Sequence, residues 1–295
     1  MKRLIVSGDD FGLAVPVNEA IERAHTDGIL GSTSLMVGAP AADDAVARAR
    51  RLPSLKVGLH VVVVRGRPTL PPADVADLVG ADGNFSPHLV RAGFNFLRPR
   101  ARRQLASEIR AQFEAYRRTG LPLDHVDAHN HMHVHPTVLG LILELGRDYG
   151  VRAVRLPREP VRVSWRAARR RLGARLAARA LLAPWLALME HRLDSAGLSH
   201  NDWILGMTDT GRMTESLVLA QLAHLPPGLT EITFHPATRR WEGIDPLLGA
   251  YGLERELEAL TSPAVAAAIR SLGIERAAFG DPADGEAGAA AVPLP

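Results

Sequence analysis

Short apolar runs alternate along the chain with segments in which apolar residues recur every three or four positions. The runs predict strands at residues 3–6, 32–37, 56–63, 123–129, 151–156, 230–234 and 276–279. The recurring positions predict helices between them, with apolar faces that include Val17, Ile21 and Ala24, then Leu105, Ile109, Phe113 and Tyr116, then Val138, Ile142 and Leu145. This alternation predicts a parallel sheet with helical crossovers.

The length of the chain favours one arrangement of such a sheet. A chain of 295 residues can bury the core of one large domain. No glycine-rich nucleotide loop follows the first strand, which argues against a dinucleotide-binding fold. We therefore expect an α/β fold, a single distorted TIM-like (β/α) barrel over residues 1–280.

Two segments depart from this pattern. Residues 161–200 are rich in arginine and leucine and read as a helical insertion, and the Ala/Gly/Pro-rich residues 281–295 read as a disordered tail. Within the insertion, Arg171, Arg175 and Arg179 recur every four residues beside leucines. Residues 165–190 are therefore a candidate for peripheral contact with an anionic membrane. A crossover helix with a solvated arginine face, or a contact in a homo-oligomer, fits the same pattern.

Composition narrows the classes of function. The chain is 46% hydrophobic and 23% charged, as is typical of a globular protein. It contains no cysteine, so any transition metal must be held by histidine and carboxylate. The net charge is only +3 and no aromatic-rich basic groove motif is evident, so nucleic acid is not the expected partner. The first apolar run is too short for a signal peptide, and we expect a cytoplasmic protein, with peripheral contact to the inner membrane left open.

Acidic and imidazole side chains lie near the ends of several predicted strands. Asp9 and Asp10 follow the first strand, His60 lies in the third, His129 closes the fourth, and His235 follows residues 230–234. In a barrel, the carboxyl ends of the strands meet at one rim, where active sites lie. Two imidazoles and a carboxylate can hold a divalent ion and leave positions open. Neighbouring residues point in opposite directions, so one acid can bind the ion while the other accepts a proton.

A histidine-rich run forms the most unusual stretch of the sequence. In an extended chain one face would carry His125, Asp127, His129, His131, His133 and His135. Asn130 would point to the other face. A solvated polar edge strand, or a chelating array without enzymatic activity, are the alternatives to an active site. Glu231 shares a strand face with His235 and is a candidate to orient it.

These motifs resemble the YdjC-like carbohydrate deacetylases, which include chitooligosaccharide deacetylase. The matching segments are Asp9-Asp10-Phe11-Gly12, Gly58-Leu59-His60, the run from His125 to His133, and Glu231 to Pro236. The resemblance implies a distorted TIM-like barrel that removes the acetyl group from an amino sugar. It implies one divalent metal ion, zinc or magnesium, bound by Asp10, His60 and His129, with Asp9 as general base and His235 as general acid. The residues expected to support these groups or contact substrate are Asp127, His131, His133 and Glu231.

Within this family, residues 151–160 and 201–215 resemble the branch associated with hopanoid biosynthesis. That resemblance implies an N-acetylglucosamine group joined to a hopanoid lipid as substrate. Asn130 departs from the larger basic or imidazole side chain that other members often carry there, which bears on packing or substrate fit.

Two further hypotheses remain open from the sequence. A His/Asp site on a barrel rim can hydrolyse another amide or a phosphoester, and a second ion bound through His131 or His133 would favour that reaction. A non-catalytic protein that binds lipid or metal within a biosynthetic complex is the other hypothesis.

Overall fold

Parallel strands form a curled sheet in the computed structural model, which describes residues 1–281. The strands are β1 (Lys2–Phe11), β2 (Ser32–Leu35), β3 (Lys56–Val61), β4 (Val126–Ala128), β5 (Trp203–Leu205), β6 (Gly228–Phe234) and β7 (Glu275–Arg276). Their order is β4-β3-β2-β1-β6-β5, and β7 pairs with the beginning of β1. Every pairing between these strands is parallel, so their carboxyl ends lie at one rim.

An extended segment links the two edges of this sheet. Val154 forms a parallel bridge with Val126 of β4, and Ala153 forms one with Ser199. In β5, the Ile204 backbone N–H donates to the Arg158 carbonyl at 3.0 Å. The predicted strand over 151–156 is thus reduced to isolated bridges, but it brings β4 and β5 towards each other. The predicted α/β fold, a distorted TIM-like barrel, is confirmed.

Helices cover the outside of the sheet. They are α1 (Val15–Thr26), α2 (Ala42–Ala49), α3 (Leu89–Phe96), α4 (Pro99–Thr119), α5 (Pro136–Gly146), α6 (Val161–Ala168), α7 (Leu172–Ser195), α8 (Glu215–Leu222), α9 (Pro246–Gly249), α10 (Leu253–Leu260) and α11 (Pro263–Ser271). Helix α4 shows why the periodic pattern is informative. Its predicted apolar residues Leu105, Ile109, Phe113 and Tyr116 are all buried, and Gly120 ends the helix at φ 73°.

The limits of two strands differ from the prediction in ways that affect the site. Strand β1 continues through Asp9 and Asp10 to Phe11 instead of ending before them. Strand β4 ends at Ala128, so the expected extended alternation beyond His129 is wrong. The chain there must turn into α5, and it does so through a short 3₁₀ segment with Asn130 and His131 at φ 53° and 54°.

The 161–200 segment contains α6 and α7. Among the described residues, α7 is the one helix with the length and apolar composition needed to cross a membrane. It is nevertheless attached to the barrel, because the buried Arg175 pairs with Asp209 at 2.8 Å. Apart from Asp281, the predicted disordered tail at 281–295 lies outside the described residues.

Gly58 in β3 provides a test of how tightly the barrel interior is packed. A Cβ atom at this position would lie 2.5–2.7 Å from ring atoms of His125, which is fully buried and stacked on Phe279. We expect Gly58→Ala to lower the free energy of unfolding by about 1–3 kcal/mol through overpacking. Chemical denaturation would measure this change.

Gly173→Ala is the matched control. A Cβ at Gly173 meets nothing within 4 Å and would lie in α7, so this variant should be neutral or slightly stabilising. Equal stability of Gly58→Ala and the wild type would contradict the packing described for His125.

Candidate active site

Buried polar side chains occupy the barrel interior near the strand ends. Below them lies a small apolar cluster of Ile5, Ala153, Ala277 and Phe279. Ser7 lies two residues after Ile5 on the same face of β1, and Arg155 lies two residues after Ala153 on the same face of the bridging segment. Both Ser7 and Arg155 are fully buried. The change from apolar to charged residues along one row marks the depth at which the site begins.

The end of β1 brings both acids to the same side. Asp10 adopts φ 65°, and the pairing of β1 with β2 shifts register between Gly8 and Phe11. As a result, Asp9 and Asp10 each place a carboxylate oxygen within 4.8 Å of a His60 nitrogen. The expectation that neighbouring acids point apart fails here because a bulge interrupts the regular alternation.

Asn18 stabilises this unusual turn. Its Oδ1 accepts a hydrogen bond from the Gly12 backbone N–H at 2.7 Å, and its Nδ2 donates to the Ala41 carbonyl at 2.9 Å. The local motif Asp9-Asp10-Phe11-Gly12 therefore depends on a side chain from α1. Gly12 itself has φ 97°, which favours glycine.

Asp10, His60 and His129 converge at the rim. Asp10 Oδ1 lies 3.0 Å from His129 Nδ1 and 3.4 Å from His60 Nε2, and the two ring nitrogens are 3.4 Å apart. Donor atoms bound to a tetrahedral zinc ion would lie about 3.3–3.6 Å from one another. Asp10 Oδ2 is buried and has no hydrogen-bond partner. The spacing and the unpartnered oxygen fit a divalent metal ion.

Asp127 fixes the orientation of His60. Its Oδ1 lies 2.8 Å from His60 Nδ1, so Nε2 is directed towards Asp10 and His129. A carboxylate behind a ligating imidazole is the usual support of a metal-binding histidine. Burial alone would lower the pKa of His60, but the charge of Asp127 and the hydrogen bonds to Asp10 and Asp127 raise it to about 10. The site therefore favours positive charge at this position.

A second group of candidate ligands, Asp9, His60 and Asp127, already holds a cation. In the described chain these two overlapping triads are the groups whose donor atoms converge within 4.8 Å. The Arg155 guanidinium donates to Asp9 Oδ1 at 2.7 Å and to Asp9 Oδ2 at 2.8 Å, and it also pairs with Asp127. Because a buried guanidinium already pairs with both carboxylates of this group, the Asp10 group is the better metal site.

Arg155 is the important residue that the motif analysis did not single out. It also donates through Nε to Glu231 at 3.0 Å and is fully buried. Burial would raise the pKa of Asp9, but the charge of Arg155 outweighs it and lowers that pKa. The available signal was an arginine inside an otherwise apolar strand pattern, where a buried charge requires partners.

The histidine-rich run divides into separate environments. His125 lies deeper in the barrel, stacks on Phe279 at 4.2 Å and contacts Asp124 at 2.9 Å. His131 and His133 belong to neither metal-ligand group. Burial and the charge of Arg155 lower the pKa of His131 to about 4, and burial with His131 nearby lowers that of His133 to about 3, so both are neutral.

His235 lies directly after β6 and faces Asp9. Its Nε2 is 4.0 Å from Asp9 Oδ2, and its backbone N–H donates to Glu256 at 2.6 Å. Glu231 does not orient His235, because its described bonds go to Ser7 and Arg155. Glu256, fully buried and not singled out by the motifs, instead holds the backbone at His235.

A pocket of about 550 Å³ opens over this cluster. Its wall includes Asp10, His129 and His235 together with Arg65, Trp241 and Tyr251. A cleft of this volume suits a small ligand such as one or two sugar rings. The aromatic side chains and Arg65 come from loops after β3 and β6, so the walls of the pocket depend on the tertiary structure.

Comparison with known proteins identifies the family. The family model described as YdjC-like protein matches residues 3–271. The chain belongs to the YdjC-like family. Relatives similar to this YdjC-like chain include a carbohydrate deacetylase of Vibrio vulnificus (strain CMCP6), 41% identical over 149 residues, and one of Brevibacillus brevis, 36% identical over 163 residues.

These alignments cover only part of each protein. They include 50% and 55% of this YdjC-like chain and 57% and 60% of the two relatives, so the chain spans little more than half the length of each. A solved structure from Enterococcus faecalis V583, named for cellobiose-phosphate cleavage, has a TM-score of 0.72 at 26% identity. It covers 94% of this chain and 97% of its own, so the shared fold extends over nearly all residues.

Removing the charge of Arg155 tests how strongly the cluster depends on it. We expect Arg155→Met to lower the free energy of unfolding by about 3–5 kcal/mol, since buried carboxylates lose their counter-charge. Arg155→Lys should lie between this variant and the wild type, because it keeps the charge but loses the paired geometry. Urea denaturation would measure both.

Arg51→Met serves as the control, because Arg51 is largely exposed and its contact with Glu22 is 3.2 Å long. Its effect should stay within about 0.5 kcal/mol. Arg155→Met within about 1 kcal/mol of the wild type would contradict the interpretation of the cluster.

Proposed function

We propose that this YdjC-like protein is a metal-dependent carbohydrate deacetylase that hydrolyses the N-acetyl group of an N-acetylglucosamine-type amino sugar. Carbohydrate deacetylases among its relatives support the reaction class. The single observation that carries the proposal is the convergence of Asp10, His60 and His129 beside the Asp9–His235 pair. Of these residues, Asp10, His129 and His235 line the pocket.

Asp10, His60 and His129 would hold the divalent ion. When bound, such an ion supplies Lewis-acid polarisation of the amide carbonyl and lowers the pKa of a bound water. Two imidazole ligands favour zinc or another transition metal over magnesium. Asp127 would keep His60 in the tautomer that presents Nε2 to the site.

Asp9 has the properties of a general base. Arg155 keeps its carboxylate ionised and oriented, while each oxygen retains a lone pair that can accept a proton. As water adds to the amide carbon, Asp9 takes the proton that the water loses. Because the fully buried Arg155 holds the Asp9 carboxylate in place, this carboxylate needs little reorganisation during the reaction.

His235 is the candidate general acid. It lies on the pocket wall, 4.0 Å from Asp9, and its side chain is about one-sixth exposed. When the C–N bond breaks, His235 would donate a proton to the leaving amine, so acetate and the free amino sugar are the products. Glu256 holds the backbone that carries it.

The proposed substrate is N-acetylglucosamine linked to a hopanoid lipid. The support is the resemblance of residues 151–160 and 201–215 to the hopanoid-associated branch. Pocket walls made by Trp241 and Tyr251 can stack against a sugar ring. A lipid-linked substrate would also require contact with a membrane, for which residues 165–190 are the candidate.

The alternative, hydrolysis of another amide or of a phosphoester, would be favoured by a second ion on His131 or His133. Neither residue belongs to a converging group of ligands in the described chain, so this additional support is missing. Arg155 already pairs with both carboxylates of the group that could have held a second ion.

Acetate release tests the proposed function directly. We expect the purified protein to release acetate from N-acetylglucosaminyl lipid or from chitooligosaccharides, to lose this activity in a strong chelator, and to regain it with zinc. The two substrates distinguish a lipid-linked from a free sugar. Full activity after the metal has been removed, verified by elemental analysis, would overturn the metal-dependent mechanism.

Asp9→Asn separates the general base from the metal ligands. We expect kcat to fall by about 10²–10⁴-fold, because an amide cannot take the proton, while the bound metal content stays unchanged. Asp10→Asn should instead reduce the bound metal. Wild-type turnover by a folded Asp9→Asn protein would remove Asp9 from the mechanism.

A further inference from the structure

Two helices at the rim of the barrel expose apolar side chains to solvent. On α3 and just after it, Val90, Phe94 and Leu97 are 75%, 70% and 59% exposed. On α7, Leu176, Leu181 and Trp185 are 50%, 74% and 46% exposed. Exposed apolar clusters of this kind mark sites of contact with a partner or a membrane.

The same two segments concentrate positive charge. Residues 83–107 and 160–189 contain twelve of the 35 basic residues of the chain and none of its 32 acidic residues. The rest of the chain is therefore net acidic, although the whole carries +3. All twelve are arginines. Arg100, Arg170 and Arg175 pair with Asp77 or Asp209 outside these segments, whereas among the described residues Arg91, Arg166 and Arg179 are exposed without an acidic partner. This distribution is complementary to an anionic surface.

Both helices lie beside the same part of the rim. Phe96 of α3 packs edge-on against His135, with ring centroids 5.7 Å apart. Arg192 of α7 donates to the Pro136 carbonyl at 3.4 Å. These contacts flank the beginning of α5, directly after the segment that contains His129. Another face of α7 lines a cavity of about 190 Å³ together with Met207 and Thr208, which follow β5. The two exposed surfaces thus lie at the end of the barrel where the pocket opens.

We propose that α3 together with α6 and α7 forms a two-part surface that docks the protein on an anionic lipid bilayer with the pocket rim towards the headgroups. This inference rests on the proposed function for its purpose, since docking would bring a lipid-linked sugar to the site. Apolar side chains would enter the interface, and arginines around them would pair with lipid phosphates. Arg175 attaches α7 to Asp209, so α7 lies on the barrel rather than leaving it to span the bilayer.

A bilayer fits this surface better than a second copy of the chain. A self-complementary interface would bring the acid-free, arginine-rich segments of two copies together, with like charges opposed. An anionic headgroup layer supplies negative charge to the arginines of both segments that have no acidic partner in the described chain.

Vesicle sedimentation tests the proposal with the full-length protein. We expect it to bind phosphatidylglycerol vesicles, to bind phosphatidylcholine vesicles weakly, and to bind less at high salt. Arg166→Glu/Arg179→Glu should lower the partition coefficient at least about tenfold, and Phe94→Ser/Leu181→Ser should lower it as well. The second pair tests whether α3 and α7 act together, so each single variant is measured too.

The controls make the same change in charge, or remove one exposed leucine, away from the rim. Arg23→Glu/Arg270→Glu alters net charge by the same amount at the far ends of α1 and α11, and Leu272→Ser removes an exposed leucine there. Both should bind like the wild type. If the Arg23→Glu/Arg270→Glu control lost as much vesicle binding as Arg166→Glu/Arg179→Glu, binding would depend on net charge alone and the proposal would be overturned. Absence of phosphatidylglycerol binding would overturn it too, as would a dimer that the apolar variants convert to monomer.

Soluble chitooligosaccharide separates this proposal from the proposed function. The rim variants leave the pocket residues unchanged, so acetate release from the soluble substrate should match the wild type, while release from vesicle-bound substrate should fall at least tenfold. Vesicle binding by a protein that releases no acetate would overturn the function and leave docking intact. Acetate release by a protein that does not bind vesicles would overturn the docking proposal and leave the proposed function intact.

Discussion

The ionic cluster around Arg155 is the interaction on which the interior of the barrel depends. One guanidinium contacts carboxylates from three strands, Asp9 in β1, Asp127 in β4 and Glu231 in β6. Each of these groups is almost completely buried, so each would be costly without its partner. The cluster therefore ties together strands that are far apart in sequence and sets their relative depth at the rim.

This cluster also sets the electrostatics of the site above it. Asp127 contacts Arg155 on one side and His60 on the other, so the position of a candidate metal ligand depends on the buried cation. Asp9 is kept ionised by the same cation, next to a group of ligands that favours positive charge. One arginine can thus separate a carboxylate suited to accept a proton from a carboxylate suited to bind a metal. The same guanidinium pairs with both carboxylates of the alternative ligand group, which favours one metal ion over two.

The outer surface of the rim has a different character from its interior. The interior places charges in pairs, whereas α3 and α7 present unpaired arginines beside exposed leucine, phenylalanine and tryptophan side chains. In an anionic bilayer interface, the apolar side chains of this surface would leave water and its arginines would pair with lipid phosphates. The pocket and the exposed helices lie at the same end of the barrel because both are built from segments that follow strand ends.

The sequence by itself determined the fold class and the position of the principal groups along the strands. Period-two and period-3.6 patterns are local, and they located α4 and most strands because burial of one face enforces them. Strand-end positions also indicated that Asp10, His60 and His129 would meet. Only the tertiary structure decided which way each side chain points. The bulge at Asp10 turns both acids inward, the 3₁₀ turn at Asn130 separates His131 and His133 from His129, and Arg155 takes the partner expected for His235. The contacts of Arg155 join it to Glu231, 76 positions away, and to Asp9, 146 positions away, and no local pattern carries a signal for such pairs.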